Sequence, residues 1–253
     1  MALAPMDLPA LGQIHDRHLA LSAIARERSG GTLAGRLLLR AGFDAEGIAV
    51  LIGASIAGAA SLCVDADGDR LRDGMRAGLC DFLVGNLDES LRILKNEIRR
   101  GRAVSVCLEA EPEECLAELA ERGVQPDLLA PGDLEESAAI GIFVEHGSLV
   151  LPREGESQVE TSLLQWTAGA EAARTLPRIA QIASESLDEA RADTPARRRW
   201  LESGPRYLGR AFGARLCVRM TAGESGHFLE RVRVEVPAAS VTRDGTAVAP
   251  GGG

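Results

Sequence analysis

Between Arg36 and Ala130 the sequence alternates short apolar runs with stretches of helical periodicity, and that alternation leaves few folds open. Residues 36–41 (RLLLRA), 62–65 (LCVD), 79–84 (LCDFLV), 103–108 (AVSVCL) and 127–130 (DLLA) read as strands of the buried type. Between them, Ile48, Leu51, Ile52, Ser55, Ile56 and Ala59 mark one helical face, and Leu71 and Met75 place a short helix that ends at Gly78. Asn86 caps a stronger helix, with Glu89 three residues on as in a capping box and Leu87, Leu91, Leu94 and Ile98 as its apolar stripe. Pro112 sits where a first-turn proline belongs, and Glu111, Glu113 and Glu114 suit the positive end of the helix dipole. Strands separated by helices of this length require right-handed crossovers, which makes the fold α/β with a mostly parallel sheet and flanking helices.

The flanks read differently. Residues 1–9 look like a loose lead-in, and residues 10–28 form a helix stopped by Ser29-Gly30-Gly31. Residues 140–152 (IGIFVEHGSLVLP) read as a hairpin turning at His146-Gly147. Helical stretches follow near 158–175 and 178–190, and Thr194-Pro195 opens an Arg-rich helix. Residues 215–220 and 229–236 alternate apolar with charged side chains, the pattern of a half-buried antiparallel hairpin. The expected organisation is an N-terminal helix (1–29), an α/β domain (30–135), and an α+β region (136–236) that packs on it or extends its sheet. A disordered tail (237–253) ends the chain.

With 253 residues, 45% of them hydrophobic and 26% charged, the chain has the make-up of an ordinary globular protein. That excludes wholesale disorder, a collagen repeat and a disulfide-stapled miniprotein. No apolar run approaches the ~18 residues of a membrane helix, so no membrane partner is expected. The N-terminus lacks the basic start and apolar core of a secretory signal. The five cysteines are odd in number and form no C-x-x-C pair, which reads as reduced, buried thiols in the cytoplasm. A net charge of −9 and only eight aromatic residues argue against nucleic acid as a partner. Residues 191–236 nevertheless hold ten Arg against five acids, a basic segment in an acidic chain.

Several stretches carry a family resemblance in their order and spacing: GGTLAGR at 30–36 followed by LLLRAG, IAGAASLCVD at 56–65, LDESLRILKNEIRRGRAVSVCL at 87–108, and ECLAELAERGVQPDLL at 114–129. Over about residues 29–130 the chain resembles the central NAD-binding, Rossmann-like domain of urocanase (urocanate hydratase). The resemblance implies a Rossmann-like sheet, NAD as cofactor and, for a working enzyme, a lyase that uses NAD as an electrophile toward the imidazole substrate.

The resemblance also carries over site residues. Urocanases have a Gly-Gly-Met-Gly-Gly loop after the first strand, where this chain has Phe43-Asp44-Ala45-Glu46-Gly47, so that only Gly47 matches. Asp44 and Glu46 would set carboxylates beside phosphates. Asp65 matches the acidic residue at the end of the second strand, which can bind the adenosine ribose hydroxyls, and Arg70 also matches. The cofactor-binding candidates are therefore Gly47, Asp65 and Arg70. Ala110-Glu111 replaces the family's Gly-Asn loop, and PGDLEES at 131–137 replaces a segment that carries a His. Residues 140–253 do not align with the family's catalytic core, so no catalytic residue is assigned.

Other candidates come from the residues alone. Asp65 can instead cap the helix that follows it, and an exposed Arg70 can simply solvate that helix. His15 and His18 share a helix face but need further ligands to hold a metal, so no metal site is expected. His146 belongs to a turn, and His227 to the loop of the last hairpin. Cys115 lies near a helix N-terminus, which lowers a thiol pKa, but beside glutamates that raise it. Arg197–Arg199, Arg206, Arg210, Arg215, Arg219, Arg231 and Arg233 either bind a phosphate or carboxylate or pair with the acidic first half, within a chain or across a homodimer. Three readings follow. The first is a urocanase-related Rossmann-like protein that is not a working hydratase and keeps a degenerate nucleotide or small-ligand site. The second is an NAD-dependent lyase of reduced architecture. The third is a non-catalytic interaction or dimerisation module using the Arg-rich face.

Overall fold

Strand Leu37–Ala41 (β1) is buried along its whole length, as a strand covered on both faces must be. The computed structural model describes residues 8–152, 161–167 and 172–248, leaving aside the side chains of residues 172–174 and Arg210. The chain divides into two units, Met1–Gly155 and Glu156–Gly253.

In the first unit β1 is joined by Ala60–Asp65 (β2), Phe82–Val84 (β3), Val104–Glu109 (β4), Leu128–Ala130 (β5) and Leu149–Val150 (β6). They form one six-stranded sheet in the order β3-β4-β2-β1-β5-β6, with every pair parallel. The helices are Leu11–Arg28 (α1), Ala45–Ala57 (α2), Gly68–Ala77 (α3), Leu87–Arg99 (α4), Pro112–Glu121 (α5) and Ala138–Glu145 (α6). Side chains alternate across the strands. Leu37, Leu39, Leu62, Val64, Val106 and Leu129 pack toward α4, α5 and α6. Leu38, Leu128 and Ala130 face the other way, toward α1 and α2. Arg40, two residues after Leu38, shares that second face, as do Cys63 and Asp65 on β2 by the same alternation. Gly53 lets the two outer helices approach closely, since a Cβ there would lie 3.0 Å from the His18 backbone nitrogen of α1.

Two helix-start signals hold in this unit. The Asn86 side chain accepts from the Glu89 amide at 2.8 Å, and Pro112 opens α5. The hairpin expected at 140–152 is instead α6 followed by β6, which adds a parallel edge strand. The run AAIGIFVE is apolar at almost every position, so its periodicity could not separate helix from strand. His146 caps the end of α6.

The second unit has its own four-stranded antiparallel sheet, from Ser162–Thr167 (β7), Arg215–Met220 (β8), Ser240–Arg243 (β9) and Thr246–Ala247 (β10), in the order β10-β9-β7-β8. Helices Ala172–Glu185 (α7), Thr194–Tyr207 (α8) and Ala222–Glu235 (α9) pack on it. Trp166 and Phe228 meet with ring centroids 5.4 Å apart, joining β7 to α9. Three expectations change here. Residues 162–167, expected in a helix, are β7, with Leu164 and Trp166 alternating inward. Residues 229–236, expected as a strand, lie almost wholly in α9, opened by a capping box of Thr221 and Glu224. Two short strands, β9 and β10, stand where a disordered tail was expected; residues 249–253 of that stretch, and residues 1–7 of the lead-in, lie outside the described residues. No helix among the described residues is long and apolar enough to cross a membrane.

Candidate functional site

In an open parallel sheet, ligands bind beyond the carboxyl ends of the strands, where the strand order reverses. Here the reversal lies between β1 and β5, since β2, β3 and β4 lie on one side of β1 and β5 and β6 on the other. Arg40 occupies that position. Its side chain is only 4% exposed. Its Nε donates to the Gly42 carbonyl at 3.0 Å, one Nη to the Ala130 carbonyl at 3.4 Å, and the other to Asp44 Oδ1 at 2.7 Å. Backbone closes around it. Gly132 has φ +61°, and a Cβ there would lie 2.6 Å from the Ala41 carbonyl oxygen and 3.0 Å from an Arg40 Nη. Only glycine fits that approach.

Asp44 completes the plug. It is the N-cap of α2, and its Oδ1 accepts from the Gly47 amide at 2.6 Å. Burial alone would push its carboxyl up, but the Gly47 amide and the Arg40 guanidinium outweigh it and hold the group below the usual carboxylate range. Glu46, in the same turn, pairs with Arg17 of α1 at 2.7 Å. Burial holds Glu46 above its ordinary value despite Arg17 and Arg40. The helix N-terminus that would greet a phosphate is thus served by the chain's own carboxylate.

Of the sequence candidates, Gly47 lies in this first turn of α2. A Cβ on it would lie 2.2 Å from the Gly42 carbonyl oxygen and 2.9 Å from Arg40 Nε. Its requirement is packing against the plug. Gly47→Ala is expected to destabilise the unit by about 1–3 kcal/mol, read from urea denaturation; an unchanged midpoint would contradict the tight packing.

Asp65 ends β2 and is 6% exposed. One oxygen accepts from the Phe43 amide at 2.6 Å and from Arg70 at 3.2 Å; the other accepts from the Asp67 amide at 2.8 Å. The carboxylate therefore ties the turn after β1 to the turn after β2. The cap of α3 is Asp67, which accepts from the Arg70 amide at 3.0 Å. Arg70, 42% exposed, bridges Asp65 and Asp67, each at 3.2 Å. The structure brings Asp65 and Arg70 together at the carboxyl end of the sheet, with Gly47 in the neighbouring turn. Sequence reasoning missed Arg40. Its signal was an arginine inside the otherwise apolar run LLLRA.

The remaining candidates scatter. His15 and His18 are both buried in α1, His18 Nε2 lying 3.5 Å from Ser22 Oγ and His15 Nδ1 3.6 Å from Asp16 Oδ1. His227 is exposed on α9, not in a hairpin loop. Cys115 is buried among Leu116 and Leu119, and burial, with Glu118 adding, pushes its thiol up to about 11. It is expected to resist alkylation in the folded protein at mildly alkaline pH and to react once urea is added; fast labelling in the native state would contradict its burial. Several arginines of the second half find acids inside their own unit. Arg197 pairs with Asp193 and Glu224, Arg191 with Asp193, Arg198 with Glu189, and Arg231 with Glu185 and Glu235. The side chain of Arg210 lies outside the described residues.

A parallel sheet wound in this order, with helices on both faces and its reversal at β1 and β5, makes the first unit a Rossmann-like α/β domain. Residues 11–132 match the family model for the urocanase Rossmann-like domain. The match takes in α1, which the sequence resemblance had left outside. The residues present do not fit NAD in the manner that resemblance implies. The reversal point is filled by Arg40, the Gly47 amide is taken by Asp44, and Asp44 and Glu46 bring negative charge to the phosphate position.

Proposed function

We propose that this chain is a urocanase-related Rossmann-like protein that has given up dinucleotide binding and does not hydrate urocanate. The observation that carries the reading is the Arg40–Asp44 pair, an internal cation and anion set in the crevice and at the helix end that a pyrophosphate needs. In this reading Gly47 and Asp65 hold the turns together. Arg70, with its head part exposed between two aspartates, is what remains for a small ligand at the rim of the sheet. The lyase reading needs an acid–base pair in a sheltered cleft, whereas His146 and His227 are both exposed. The Arg-face reading is weakened by the ion pairs that take up Arg197, Arg198 and Arg231 from within. Five free, buried cysteines suit a reducing compartment, and we place the protein in the cytoplasm on that ground.

The test is a pair of assays on the purified chain. Acid-released small molecules are identified by mass spectrometry, and urocanate consumption is followed with excess NAD added. Neither stoichiometric NAD nor turnover is expected. Turnover that depends on NAD would overturn the proposal.

A further inference from the structure

The second unit contains a cavity of about 520 Å³ between α7, α8 and the start of β8. Its size falls within the range of about 300–1,000 Å³ typical of small-molecule sites. Leu201, Leu208 and Leu216 line it and are buried. Ala180 and Gly213 line it too, and a single methyl group on one and no side chain on the other leave the space open. Pro205, inside α8, has no N–H, so the Leu201 carbonyl loses its helical partner beside the cavity. The exposed lining residues include Arg215 and Glu202. Arg215 is anchored through Nε, which donates to the Phe212 carbonyl at 2.9 Å. It is one of the arginines singled out in the sequence, and the ion pairs that take up Arg191, Arg197, Arg198 and Arg231 do not include it.

We propose that this cavity binds an amphipathic monocarboxylate, with an apolar body over the leucines and its carboxylate at Arg215. The apolar lining supplies affinity through burial. The guanidinium, held at one nitrogen, has its remaining donors to offer a carboxylate in fork geometry. Glu202 in the same lining disfavours a second anionic group, which separates a monocarboxylate from phosphorylated or dicarboxylic compounds.

The probe is decanoate, titrated calorimetrically into the full chain below its micelle concentration, with decyltrimethylammonium as the cationic control. Saturable binding of one decanoate per chain is expected, at least tenfold tighter than the cationic control. Arg215→Gln is expected to weaken it at least tenfold and Arg215→Lys to recover part of the loss. Ala180→Trp, which fills the cavity, is expected to abolish binding while circular dichroism reports an unchanged fold. Equal affinity for both probes, or binding indifferent to both Arg215→Gln and Ala180→Trp, would overturn the proposal. So would a concentration-dependent dimer that Ala180→Trp dissolves, since the cavity would then seat a second copy.

Discussion

Arg197→Ala is expected to destabilise the second unit by about 3–5 kcal/mol, the usual cost of stranding a buried charge. Arg197 has a side chain 1% exposed and Glu224 one 4% exposed, and they meet at 2.8 Å. Arg197 also donates to Asp193 at 3.1 Å, to Thr194 Oγ1 at 3.0 Å and to the Arg219 carbonyl at 3.3 Å. Glu224 accepts from the Asp188 and Thr221 amides, each at 2.8 Å. One ion pair therefore joins α8, β8, α9 and the loop before α8. Both tryptophans of the chain, Trp166 and Trp200, lie in this unit, so tryptophan fluorescence in urea reads its unfolding directly. The same pair sets a pH dependence. Burial opposes the charged form of Glu224, but Arg197 and the two amides outweigh it and hold the carboxyl below its ordinary value. A depressed folded pKa contributes stability that is complete above the ordinary carboxylate range and is lost as pH falls through the folded value. The urea midpoint is expected to fall on acidification, and to fall less in Glu224→Gln. A loss below about 1 kcal/mol in Arg197→Ala would put the pair in the class of exposed ion pairs and contradict this account.

Asp44→Ala is expected to cost the first unit about 2–4 kcal/mol and to create affinity for inorganic pyrophosphate. Two losses add. The cap of α2 is worth about 1 kcal/mol. Arg40, 4% exposed, loses its carboxylate but keeps the Gly42 and Ala130 carbonyls, so this second loss is smaller than for a fully stranded charge. What remains is a guanidinium beside an uncapped helix N-terminus, the two ingredients of an anion site. Pyrophosphate should then raise the melting temperature of the variant by mass action and leave the wild type unmoved. A variant that is destabilised but indifferent to pyrophosphate would show that Asp44 does not stand in an anion's place. The reverse variant, Arg40→Ala, strands a carboxylate that is 56% exposed and can turn to water, so it should cost less.

The sheet of the first unit was legible because several signals agreed at each boundary. Apolar runs gave the strands, and Asn86, Pro112 and the glycines beyond α3 and α4 marked where helices begin and end. The last helix was not legible. Val232, Val234 and Val236 alternate as a strand would, yet Val234 is 76% exposed. Burial follows Phe228 and Val232 at helical spacing, and the Thr221–Glu224 capping box carried the better signal. At the candidate site, the sequence put Asp65 at the end of a strand, and it is the last residue of β2, with Arg70 following in α3. What it could not give is that the Asp65 oxygens are already taken, by the Phe43 amide from the turn after β1 and by the Asp67 amide and Arg70 just beyond β2. Arg40 was hidden for a related reason. A buried arginine is told from a solvated one by its partners, and Ala130 lies 90 residues away in sequence.

Calorimetric titration of the wild-type chain with NAD tests the central claim most directly. If Arg40 and Asp44 fill the crevice and the helix end as described, no saturable heat appears at millimolar NAD. One equivalent of NAD bound at micromolar concentration, with the affinity lost in Asp65→Ala, would contradict it and return the site to the cofactor.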